Sequence, residues 1–226
     1  MHPPVDPDVH VFDDLDSLSA AAAGAVVEHA HAAVDATGSF HFAVSGGRSP
    51  WEMFALLTGM DMPWDLTVVW QVDERVAPVD DPNRNLAHLR QALGGRSNEI
   101  LRPMPVEETD LDAAARSYGE ALPDRLDLVH LGIGPDGHTA SLVPGDAVLE
   151  VADRPVALTA GEYQGRRRMT LTYPTLARAR HILWLVTGED KRDALDRLLA
   201  HDPSIPAGRV TPAAATVMTD RAAHPA

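Results

Sequence analysis

Short apolar runs alternate with longer amphipathic ones along the whole chain, the signature of strands and helices in turn. Val9 to Phe12 is a short apolar run, and Phe40 to Val44, Leu66 to Val72 and Leu126 to Leu131 read as strands. Met169 to Thr172, Ile182 to Thr187 and Ala215 to Met218 continue the series. Helices are expected over Ser17 to Ala36, Trp51 to Leu57, Asn83 to Leu93, Leu111 to Leu122 and Asp190 to Leu199, with Ser17 as an N-cap. Strands alternating with helices predict an α/β fold: a mostly parallel, Rossmann-like sheet covered by helices on both faces. Proline and glycine fall as scattered punctuation and no repeat appears, so one domain over residues 1–226 is expected. Ligands of such sheets bind at the C-terminal ends of the strands. The loops after Val44, Val72, Leu131 and Val186 are therefore where chemistry is to be sought.

Composition narrows the field. The 226 residues are 45% hydrophobic and 23% charged, ordinary for a globular protein. No apolar run approaches the roughly 20 residues that span a bilayer. Met1 to Asp16 carries five Asp and no Lys or Arg, unlike the basic start of a signal peptide, so a cytoplasmic protein is expected. The absence of Cys removes disulfides and thiolate chemistry together. A net charge of −14 repels nucleic acid and anionic membranes, so neither is expected as a partner. Of the 19 basic residues 18 are Arg, and Lys191 is the only lysine.

Four loops carry candidate chemistry. In the first, a strand runs into Ser45-Gly46-Gly47-Arg48-Ser49-Pro50, with proline expected at the first position of a helix. Unpaired N–H groups at that helix start favour an anion, although a plain tight turn fits the same residues. In the second, Asp73-Glu74-Arg75 sets two carboxylates and a guanidinium at a strand end. They form either an internal ion pair or a proton-handling and substrate-binding group. In the third, Gly132, Gly134 and Gly137 formally match the dinucleotide fingerprint, but the match is late in the chain and Pro144-Gly145 cuts the following helix short. More telling there is Asp136-Gly137-His138, where a histidine at a strand mouth suits a general base and Asp136 suits its partner. A cap on a short helix is the plainer reading of His138. In the fourth, Arg166-Arg167-Arg168 and Lys191-Arg192 put five cations at two strand-adjacent places, either a local anion site or solvated surface charge. No nucleophile elbow, no His-Glu-x-x-His and no metal-ligand spacing of histidines is present, so no metal is expected.

Together these loops resemble the 6-phosphogluconolactonase family. The resemblance rests on Ser45 to Pro50, Asp73-Glu74-Arg75 with Asn85, Leu131 to Leu142, Arg168 to Thr172 with Pro174, and Leu185 to Gly188 with Lys191, in family order. It implies hydrolysis of 6-phosphoglucono-δ-lactone to 6-phosphogluconate without a metal or organic cofactor. On that resemblance His138 is the base that activates water and Asp136 supports it. Ser45, Gly46, Gly47, Arg48, Ser49, Arg168 and Lys191 hold the phosphate, and Asp73, Arg75 and Asn85 line the sugar site. The stretch Gly161 to Arg167 departs from the family's proline-rich run and leaves open which of the three arginines faces the phosphate. Rival readings are an amino-sugar phosphate deaminase or isomerase of the same fold, which Arg75 and Thr139 disfavour, and a non-catalytic sugar-phosphate-binding protein. A monomer and a dimer are both compatible with the sequence.

Overall fold

The computed structural model describes residues 5–225, apart from the side chains of Arg48 and Ser49. In chain order the elements begin with β1 (Asp8–Phe12), α1 (Leu15–Thr37), β2 (Phe40–Val44), α2 (Arg48–Leu57), β3 (Thr67–Gln71) and β4 (Asp73–Arg75). They continue with α3 (Asn85–Leu93), α4 (Ser97–Ile100), β5 (Leu101–Arg102), α5 (Leu111–Ala121), β6 (Leu128–Leu131) and β7 (Val156–Leu158). The last are β8 (Arg168–Leu171), α6 (Tyr173–Ala177), β9 (His181–Val186), α7 (Arg192–Leu199) and β10 (Ala215–Asp220).

Seven strands form one sheet in the order β1-β10-β9-β6-β2-β3-β5. Every neighbouring pair in it runs parallel. The chain builds outward from β2 through β3 to β5, then returns to β6 on the other side of β2. That reversal opens a crevice beyond the C-terminal ends of β2 and β6, the usual place for a ligand in such sheets. The buried strands are apolar on both faces because both are covered. One core joins Phe42, Val44 and Leu128 to α1, α2 and α3; the other joins Val129, Leu131 and Trp184 to α5 and α7. A second, antiparallel sheet, β4-β8-β7, lies beside the main one and carries Asp73 and Arg168.

Several local expectations are corrected. Asp14, not Ser17, caps α1: its carboxylate accepts from the Ser17 N–H at 2.8 Å, while Ser17 reaches back to the Asp14 N–H. Helix α2 starts at Arg48, so Pro50 is its third residue rather than its first. The strand expected over Leu66 to Val72 spans Thr67–Gln71, and Asp73–Arg75, expected as a loop after it, is a strand of the second sheet. No helix follows Gly137; residues 139–142 form a turn closed by a Thr139–Leu142 bridge. Strands β5 and β7 have two and three residues, too few for a period to show. Among the described residues no helix is long and apolar enough to cross a membrane.

Candidate active site

The crevice is a cleft of about 700 Å³. The glycine loop after β2, the Gly-rich loop after β6, the turn after β9 and the second sheet all contribute to its wall. Ser45, Gly46, Gly47, Asp73, Arg75, Asn85, His138, Arg168 and Lys191 all line it. The side chains of Arg48 and Ser49, expected at the phosphate, lie outside the described residues.

His138 and Asp136 are held by their loop. Nδ1 of His138 is 2.5 Å from Oδ1 of Asp136, and the His138 N–H also donates to that oxygen at 3.2 Å. With Asp136 ionised, Nδ1 carries the proton and Nε2 is left as the basic nitrogen. Burial alone would raise the Asp136 carboxyl. The hydrogen bonds and charge of His138, with the hydroxyl of Tyr163, outweigh it and hold the group below the usual carboxylate range. Gly134 leaves room for the pair: a Cβ there would run into both the His138 ring and the Asp136 carboxylate. The N–H of Gly134 donates to the His138 carbonyl and that of Gly137 to the Gly134 carbonyl, so neither is offered to an oxyanion.

Asp73-Glu74-Arg75 resolves into two jobs because successive strand residues point to opposite sides. Asp73 faces the cleft and accepts from Ser45 Oγ at 3.1 Å and Ser141 Oγ at 2.7 Å. Asn85 bridges this group, donating to the Asp73 carbonyl at 2.9 Å and accepting from Arg75 Nη1 at 3.1 Å. Glu74 points away. It accepts the N–H groups of Asn85 and Leu86 at the start of α3 and lies 3.5 Å from the buried Arg84 guanidinium, which also pairs with Glu107.

The five expected cations divide likewise. Arg166 is exposed and pairs with Asp81, Arg167 is exposed and donates to the Thr159 carbonyl, and Arg192 donates to the Ala222 carbonyl. Only Arg168 and Lys191 of the five line the cleft. Burial lowers the Arg168 guanidinium from its ordinary value, opposed by the Asp73 charge. Lys191 sits on the single turn before α7 and pairs with Asp190 at 2.8 Å.

Two histidines line this cleft, and only one can serve as the base. His130 is fully buried, and neither ring nitrogen has a hydrogen-bond partner among the described residues. Burial pushes its imidazole down to about 3. A depressed histidine contributes stability above its ordinary value near 6.5, and that stability is lost as pH falls toward about 3. On going from about pH 7 to about pH 5, the parent is expected to lose on the order of 1–2 kcal/mol more than His130→Leu in denaturant titrations. Equal losses would show that His130 does not titrate in this way.

Sequence patterns gave no sign of Tyr163 and Gln164, which also line the cleft. They belong to the segment that departs from the family run. Ser141 supports Asp73, and its place inside Asp136 to Leu142 was a signal that could have found it.

The family described as Glucosamine-6-phosphate isomerases/6-phosphogluconolactonase matches residues 13–219. A 6-phosphogluconolactonase of Mesorhizobium japonicum is 36% identical over 215 residues, covering 91% of this chain and 90% of its own length. One from Synechocystis sp. is 35% identical over 183 residues, 74% of this chain and 75% of its own. The crystal structure of a 6-phosphogluconolactonase from Shewanella baltica superposes with a TM-score of 0.84 at 26% identity, covering 95% of this chain and 97% of that one.

Proposed function

This chain belongs to the family of glucosamine-6-phosphate isomerases and 6-phosphogluconolactonases, and from that premise we infer that it hydrolyses 6-phosphoglucono-δ-lactone to 6-phosphogluconate. The observation that carries the reading is the His138–Asp136 pair in a cleft that also gathers Arg75, Arg168 and Lys191.

A lactone is an activated ester, so water and one base suffice for attack on its carbonyl. Nε2 of His138 takes a proton from water as the water oxygen bonds to the carbonyl carbon. Asp136 steadies the imidazolium that forms. The bond to the ring oxygen then breaks, the imidazolium returns its proton to that oxygen, and the open-chain acid releases its carboxyl proton to solvent and leaves as the carboxylate. Asp73, Arg75 and Asn85 form one bonded group that faces the sugar hydroxyls. Ser45, the glycines at the start of α2, Arg168 and Lys191 hold the phosphate, whose remote binding orients the ring for attack. Because the net charge of −14 opposes an anionic substrate, affinity has to come from these local cations and helix-start N–H groups. A cytoplasmic setting and a small-molecule substrate go with the same proposal.

The test is a time course with freshly prepared lactone, read above its spontaneous opening; a protein that matches the blank is not a lactonase. In the same assay Lys191→Ala is expected to raise KM for the phosphorylated lactone by roughly one to two powers of ten. Turnover of unphosphorylated gluconolactone is expected to stay as it is. Equal effects on the two substrates would remove Lys191 from the phosphate site. Lys191→Arg keeps the charge but not the compact ammonium, and is expected to restore only part of the affinity.

A further inference from the structure

Resting on the reading of His138 as the base, we propose that Tyr163 is a positioning residue for the reaction. Its hydroxyl braces the Asp136–His138 pair so that Nδ1 stays on Asp136 and Nε2 stays toward the cleft.

The phenol is rigidly carried. Tyr163 and Arg166 exchange backbone hydrogen bonds, Tyr163 N–H to the Arg166 carbonyl at 2.9 Å and Arg166 N–H to the Tyr163 carbonyl at 3.4 Å. Between them Gln164 and Gly165 both have positive φ, 54° and 74°. Two such residues in a row make the tight turn that suits a two-residue hairpin. Arg168 secures it from β8, donating to the Tyr163 carbonyl at 3.1 Å and to Gln164 Oε1 at 3.2 Å. Its guanidinium carbon lies 5.4 Å from the centre of the Tyr163 ring.

So mounted, the hydroxyl is 3.2 Å from Asp136 Oδ2 and 3.2 Å from His138 Nδ1, with the two rings 5.0 Å apart. Burial and the adjacent Asp136 charge raise the phenol from its ordinary value, so it remains a donor across the neutral range. The proton count then has one solution. Nδ1–H donates to Oδ1 of Asp136, the phenol donates to Oδ2, and the phenol oxygen faces Nδ1–H. Both carboxylate oxygens are engaged, so neither the carboxylate nor the imidazole can turn without breaking a hydrogen bond. The titratable and charged groups around the base are Asp136 on its own loop and Tyr163 with Arg168 on the hairpin side. Asp73, Arg75, Asp190, Asp220 and Lys191 share the cleft.

Tyr163→Phe keeps the ring and removes the brace. We expect kcat to fall roughly tenfold with KM within about twofold, as for a lost hydrogen bond to a charged group. The acidic limb of the pH profile is expected to move to higher pH, because a carboxylate with one donor fewer holds the imidazolium proton more strongly. A purely structural residue would not move that limb. Melting curves of parent and variant are expected to coincide. Parental kcat and limb in Tyr163→Phe, or a loss confined to KM, would overturn the proposal. His138→Ala is assayed alongside: if it is inactive while Tyr163→Phe is parental, the brace alone fails. If His138→Ala retains parental rate, the base and its brace fail together.

Discussion

Replacing His138 by alanine is expected to lower kcat on the phosphorylated lactone by about two to four powers of ten, the usual worth of a positioned general base. In the proposed site the phosphate and sugar contacts fall to residues other than His138, so KM should change only a few-fold. The residual rate should approach spontaneous opening and lose the acidic limb of the parental pH profile. Added imidazole should recover part of the loss, because the cavity left beside Asp136 accepts the ring and its carboxylate can fix the same tautomer. Asp136→Asn is expected to fall less far than His138→Ala, since the imidazole remains but its tautomer is no longer dictated. Had His130 been the base, the order would be different. Its burial, the absence of a carboxylate partner among the described residues and a value near 3 leave it neutral and out of reach of solvent. A His138→Ala protein with parental kcat would remove His138 from the chemistry whatever the fold.

How much of this was legible in the sequence depends on whether a feature is local. Phe40 to Val44 is a strand with those bounds because four buried positions and the half-buried His41 are bracketed by a glycine-serine turn and a glycine loop. The loops that follow β2, β6 and β9 carry glycine and charge directly after apolar runs, so their joint placement at one crevice follows from parallel-sheet topology. The cap of α1 was less legible because Asp14 and Ser17 are both capping types and each bonds the other's backbone. What lay beyond reach depends on chain segments meeting. Tyr163 acts on residues 25 and 27 positions away through a hairpin fixed by Gln164 and Gly165. The sequence shows only that this stretch departs from the family run. The three arginines beside it are equivalent as letters; Arg168 is the first residue of β8 and is buried opposite Arg75 of β4, while Arg166 and Arg167 precede the strand and stay exposed.

Adjacent Asp73 and Glu74 make the sharpest case, and they define the second large effect. Glu74→Ala is expected to destabilise the fold by roughly 3–5 kcal/mol, the range for stripping one partner from a buried ion pair. The Glu74 carboxylate has no exposure, and neither does Arg84. It accepts from Gln71 Nε2 at 2.9 Å, Arg75 N–H at 2.8 Å, Asn85 N–H at 2.9 Å and Leu86 N–H at 2.8 Å. It therefore supplies the first turn of α3 with the acceptor that an N-cap side chain would otherwise provide, and Arg84, which holds the cap position, makes no such bond. Glu107 alone would then face Arg84, and four donors would lose their acceptor at once. Against a typical total of about 5–15 kcal/mol that loss is a large share of the fold's stability. Glu74→Gln keeps the shape and some of the acceptors, so its cost should be smaller but of the same sign. Asp73→Asn makes the contrast, because Asp73 faces the cleft and is held by Ser45, Ser141 and Asn85. Its melting temperature should move little while kcat/KM falls by roughly tenfold or more. Denaturant titration and steady-state kinetics on the same preparations separate the two: stability lost at 74, activity lost at 73. If Glu74→Ala unfolds at the parental denaturant concentration, the buried pair does not hold α3. Asn85 and Arg75 would then owe their place in the cleft to the Asp73 contacts alone.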